Sequence, residues 1–186
     1  MQPTKEQLDF YYTRTRNHVS LVEKYIEKIY NLYRTKYPTL PVRQMFHDQS
    51  KYQEPEFTPY VFLTWKYHCK DLNIPFETTK ELEKEIREAT YHHCKNNRHH
   101  PEFHDTTTSI DSINSKDRDK PPEKLIDATK MWDVDIAEMV ADWCAMSEER
   151  GNTPQEWAKM NIGTRWKFTQ DQEKLIYNLI DQVWRK

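Results

Sequence analysis

"TRNHVSLVEKYIEKIYNLYRTK", residues 15–36, sets Val22, Tyr25, Ile26, Ile29, Tyr30 and Tyr33 on one face at three- and four-residue steps. Tyr37-Pro38 closes the run, because a residue before proline avoids the α region and proline lacks the N–H to continue a helix. The spacing predicts one long amphipathic helix. His18 lies on its apolar stripe, four residues before Val22, where a non-polar side chain would be expected.

The rest of the chain points the same way. Only 2 of the 186 residues are glycine, too few for a fold rich in hairpins and tight turns. A chain of this length can bury a core as a single domain, residues 1–186, without disulfides or structural metal. Aromatic residues make up 13% and are expected to fill much of that core. The formal net charge of −2 leaves no broad basic field, so polymeric nucleic acid is not an expected partner. Cys69, Cys94 and Cys144 are odd in number and form no CxxC pair, which argues for reduced thiols and a cytoplasmic location. The opening "MQPTKEQLDFYYTRTRNH" has no apolar signal core, and no run reaches membrane-spanning length. The pattern is compatible with a homo-oligomer.

Further helices are marked by their ends. A second is expected after Pro41 through "VRQMFHDQSKY", and a third in "TPYVFLTWKYHCKDL", with Pro59 in its first turn. A fourth, "ETTKELEKEIREATYHHCKNN", opens at Thr78 or Thr79 and steps along Leu82, Ile86 and Ala89. Continuing that step brings His93 inward and, if the helix persists, His100; His92 is rotated toward the rim. "DTTTSIDSINSKDRDKPP", residues 105–122, is polar and aperiodic and reads as a loop or lid. "PPEKLIDATKMW" is expected as a short helix, then "DVDIAEMVADWCAMSEERG", with Ile136, Met139, Val140 and Trp143 on one stripe and Gly151 as its stop. "TPQEW" and "TQDQEKLIYNLIDQVWRK" open two more, at Thr153 and Thr169. The result is an all-α bundle of about seven or eight helices.

Five of the 8 histidines fall within "YHHCKNNRHHPEFHD", residues 91–105. His47-Asp48 are adjacent, and Asp142 sits at the edge of the late apolar stripe beside Met139 and Met146. Imidazole and carboxylate are the usual donors to Zn, Mn, Fe, Co and Ni, and a buried aspartate is costly unless paired or metal-bound. Several helices converging could build such a cage. Each residue also has a plainer reading. His18 could be a hydrogen-bonded core histidine, Asp142 the partner of an arginine, Lys51 a solvated cation, and Glu138 an ion-paired neighbour of Asp142.

The order His18, His47-Asp48, Asp142 in a helical chain of this size resembles the HD-domain superfamily of metal-dependent phosphohydrolases. "FHDQSKYQEPEFTPY", "HHCKNNRHHPE" and "IAEMVADWCAMSEERG" are similar to segments of an uncharacterised bacterial and phage family in that group, with HDxSK, EFxPY, HHx5HH and EMxxDW patterns. The likeness spans roughly residues 15–160, and the stretch from Asp105 to Pro122 has no evident counterpart. The resemblance implies an HD-type bundle whose metal ligands fall on His18, His47, Asp48 and Asp142. For a second ion it implies His93 and His100, with His99 as the alternative. It further implies a metal-activated water attacking phosphorus, with Asp48 bridging or orienting, and Lys51 stabilising the phosphoryl oxygens. Lys95, Asn97, Arg98 and His99 become candidates for substrate binding.

Three functions stand as expectations. The first is hydrolysis of a small phosphorylated substrate such as a nucleotide, with one or two divalent transition metals. A second keeps the fold but uses two irons and dioxygen to oxidise a small anion. The third is a non-catalytic binding module holding a structural metal.

Overall fold

The first helix begins well before its apolar stripe. The Thr4 hydroxyl accepts from the Gln7 amide at 3.3 Å, and the Gln7 side chain accepts from the Thr4 amide at 2.8 Å, a reciprocal cap that starts α1, Lys5–Tyr33. The computed structural model describes residues 2–113 and 124–184. On α1 the buried positions Tyr11, Thr15, His18, Val22, Tyr25, Ile26 and Ile29 keep the three- and four-residue steps of the sequence.

Pro41 starts only a short α2, Leu40–Gln44. The helix expected through residues 42–52 ends at Gln44; after a turn, Asp48 is left-handed (φ 58°, ψ 14°) and leads into a 3-10 turn at Gln49–Tyr52. Aspartate tolerates that region better than most residues. α3 runs Phe57–Asp71, and Thr79 caps α4, Lys80–Asn96. α4 stops there because Asn97 turns extended; His100 then becomes the N-cap of α5, Pro101–His104, with proline at its first position. Within the expected loop, Ile110–Ile113 form a short α6, and residues 114–123 lie outside the described residues. The first three residues of "PPEKLIDATKMW" lie there as well. The remainder of that segment is not the helix expected: Ile126–Asp127 form β1, paired in parallel with β2, Trp166–Lys167.

α7, Asp133–Arg150, ends at Gly151 with φ 69°, the left-handed conformation that suits glycine as a helix stop. α8, Pro154–Asn161, and α9, Gln170–Val183, start at Thr153 and Thr169, whose hydroxyls accept from Glu156 and Gln172 amides. The fold is all-α, with nine helices among the described residues and one two-residue ladder. No helix among them is long and apolar enough to cross a membrane.

The main core joins Val22, Ile26 and Ile29 of α1 to Ile136, Met139 and Val140 of α7 and Ile176, Leu179 and Ile180 of α9. Each such buried aliphatic side chain contributes about 1.5–3 kcal/mol. A smaller cluster joins Tyr11, Tyr60, Val61 and Ala89 from α1, α3 and α4. His18 lies on the α1 stripe between the two, and there the packing turns polar.

Candidate metal centre

α1 delivers His18, and α7 delivers Asp142 to meet it, with His18 Nε2 at 3.1 Å from Asp142 Oδ1. His47 reaches the same place from the turn after α2. One ligating atom each of His18, His47 and Asp142 lie within 4.8 Å of one another. A second set, His93 from α4 with His99 and His100 from the turn into α5, is equally close. Donors about 2.1 Å from one ion sit roughly 3–4 Å apart, so each set can close on a cation.

Asp48 stands between them. Its Oδ2 lies 3.6 Å from His18 Nε2 and 3.8 Å from His47 Nε2. Its Oδ1 lies 3.3 Å from His93 Nε2 and 3.7 Å from His99 Nε2. One carboxylate therefore gives one oxygen to each triad, and the left-handed backbone at this residue is part of how it is placed there. Asp48 Oδ1 and His47 Nε2 are buried with no hydrogen-bond partner, as expected of atoms whose partner is a cation.

The outward nitrogens of four imidazoles face carboxylates. His47 Nδ1 donates to Glu138 Oε1 at 3.0 Å, and His99 Nδ1 faces the same oxygen at 3.3 Å. His93 Nδ1 donates to Glu56 Oε2 at 2.8 Å, and His18 Nδ1 to Glu149 Oε1 at 3.1 Å. A carboxylate behind each imidazole fixes the tautomer that leaves Nε2 toward the centre and makes it a better ligand. Glu138 is in turn gripped by Arg43 Nε at 2.7 Å, and Ser50 Oγ donates to Glu56 at 2.8 Å.

The crowding sets the electrostatics. Burial opposes charge on His18, but hydrogen bonds to Asp142 and Glu149 outweigh it and lift its pKa to about 9. Burial likewise opposes charge on Asp48, yet Lys51, His47 and His93 hold it well below the usual carboxylate range. For Asp142 the hydrogen bond from His18 overcomes burial and also lowers it. For His100, burial and its histidine neighbours together push it well below 6.5.

Residues 7–182 match a family model described as a family of unknown function, DUF5662. The chain belongs to the DUF5662 family. No curated protein and no solved structure matches it.

In this DUF5662 protein all six expected ligands come together, and His99, the alternative to His100, joins them. Lys51 donates to Asp48 Oδ2 and lines a cavity of about 520 Å³ that opens on the centre. The other expected substrate contacts are placed differently. Arg98 makes a two-pronged pair with Asp135, at 3.1 and 2.9 Å, and stacks 4.7 Å over Trp132. Lys95 donates to the backbone carbonyls of Glu102 and Asp105, and Asn97 to Ser50 and the His93 carbonyl. None of the three is among the cavity-lining residues. Arg98 and Lys95 are used up by acceptors that only the folded chain brings near. The cations on the cavity wall besides Lys51 include Arg14 and Arg150, which sequence reasoning missed. Arg14 was within reach, one helical turn before His18.

Glu56, Glu138 and Glu149 complete the centre from behind. Glu138 was legible as a neighbour of Asp142, whereas nothing in the spacing pointed to Glu56. His92 donates to the other Glu56 oxygen at 2.7 Å, and its side chain is 41% exposed, at the rim as its helical angle indicated.

Proposed function

We propose that this protein is a metal-dependent phosphohydrolase of HD-superfamily character, acting on a nucleotide or related small phosphate ester. The observation that carries the reading is the Asp48 carboxylate, one oxygen toward each histidine-containing triad, with Lys51 on the same group and lining the cavity. Two divalent cations, of the Mn, Co, Ni, Zn or Fe kind, would supply water of lowered pKa and polarise phosphoryl oxygens.

The chain's own residues do the rest. His18, His47 and Asp142 would hold one ion, His93, His99 and His100 the other, with Asp48 between the two sets. Lys51 is 20% exposed at its side chain, close enough to Asp48 to be held still and open enough to meet a phosphoryl oxygen. Arg150, and Arg14 whose guanidinium lies 3.7 Å from Glu149, bring positive charge to the same wall and favour an anionic substrate. A cavity of about 520 Å³ suits a ligand of nucleotide size.

Elemental analysis of the purified protein, then phosphate release from a panel of nucleotides and sugar phosphates with Mn²⁺, Co²⁺ or Ni²⁺, tests this. Metal-dependent release that disappears in Asp48→Ala is the expected result. A coloured, iron-loaded protein that consumes dioxygen and releases no phosphate would replace hydrolysis with oxidation. Metal bound with no turnover of any substrate would leave a binding module.

A further inference from the structure

His100 also belongs to a different set of donors. Cys94 is the next residue after His93 on α4 and is turned about 100° from it, so it leaves the first centre and faces α5. Glu102, two residues beyond His100, comes to it from α5. One ligating atom each of Cys94, His100 and Glu102 lie within 4.8 Å of one another, and all three residues line the cavity.

Two atoms of this set have no hydrogen bond. Glu102 is 5% exposed; its Oε1 accepts from Trp166 Nε1 at 2.9 Å, while Oε2 is buried with no partner. His100 Nε2 is also buried and partnerless. A buried polar atom left so costs about 1–3 kcal/mol, and one cation can satisfy both. We propose that Cys94, His100 and Glu102 form a third cation site, selective for a thiophilic ion such as Zn²⁺ or Cd²⁺. A thiolate ligand excludes hard ions such as Mg²⁺ and prefers these softer ones. The thiol proton goes to solvent as the ion binds. His100 belongs to both sets; with its Nε2 given to this site, His93 and His99 remain beside Asp48 Oδ1, at 3.3 and 3.7 Å, for the neighbouring position. This inference stands whether or not the neighbouring centre hydrolyses phosphate.

The test is a Cd²⁺ titration of the purified, Mn²⁺-loaded protein, read by ultraviolet absorbance. A sulfur-to-cadmium charge-transfer band saturating at one equivalent is expected, absent in Cys94→Ser and retained in Cys69→Ser and Cys144→Ser. Glu102→Gln, which keeps the acceptor for Trp166, should weaken the titration at least tenfold while thermal unfolding stays cooperative. No band in the wild-type protein, or an unchanged band in Cys94→Ser, overturns the site.

Discussion

Asp48 Oδ1 lies 3.3 Å from His93 Nε2, although Asp48 sits in a left-handed turn after α2 and His93 in the last turn of α4. The same carboxylate faces His18 with its second oxygen, so removing it should weaken both positions together. Asp48→Ala is expected to bind fewer than two equivalents of Mn²⁺, with the remaining affinity down at least 100-fold. Titration calorimetry with stoichiometry by elemental analysis checks this. Loss of one ion at unchanged affinity for the other would refute the bridging role.

Glu138 backs one histidine from each triad. Glu138→Gln keeps the shape but removes the charge, and turns an amide donor toward Arg43 or a histidine. Metal affinity should fall about 10–100-fold, the usual cost of losing a carboxylate behind a ligating imidazole. Calorimetry on the folded variant reads it. An affinity within threefold of wild type would limit Glu138 to pairing with Arg43.

Proton competition gives a pH dependence with a definite sign. His18 in the metal-free protein titrates at about 9, above its unfolded value of 6.5. Its stabilising contribution is therefore fully present below pH 6.5 and is lost as pH rises through about 9. A cation that needs His18 neutral must displace that proton at pH 7. Apparent affinity should climb by up to tenfold per pH unit from 7 to 9 and then level off. A flat profile over that range would show that His18 is not a ligand.

Lys51 and Arg98 should separate cleanly. Lys51→Met is expected to cut turnover about 10²–10³-fold with metal content unchanged, as for other lost contacts to transition-state charge. Arg98→Ala should leave turnover alone and lower stability, because Asp135 is fully buried between Arg43 and Arg98. A loss of about 1.5–3 kcal/mol in urea unfolding is expected for a hydrogen bond to a charged group. Activity lost in Arg98→Ala without loss of stability would return it to the substrate side.

The helical framework was largely readable, because caps and apolar steps are local. The Thr4–Gln7 cap is just as local, but it lies well ahead of the apolar stripe by which the helix is recognised. His18, His93 and Asp142 were readable for the same reason, as polar residues on apolar helical steps. His99 and His100 were not separable, since extending α4 selects only one of them, whereas Pro101 begins a new helix and presents both. The residues of β1 read as helix because their pairing with β2 depends on a segment far along the chain. Arg98 looked available because Asp135 has no sequence relation to it. Local physics finds the candidate ligands; only the closed fold shows which cations are already taken.

Asp48, Glu56, Asp135 and Glu138 are all at most 5% exposed as residues, a dense store of negative charge for one small interior. Arginine and lysine answer part of it, and imidazolium answers part only at the expense of the nitrogens that should face the ions. Divalent ions taken up there would offset that charge, so the folded chain should resist unfolding more as they are supplied.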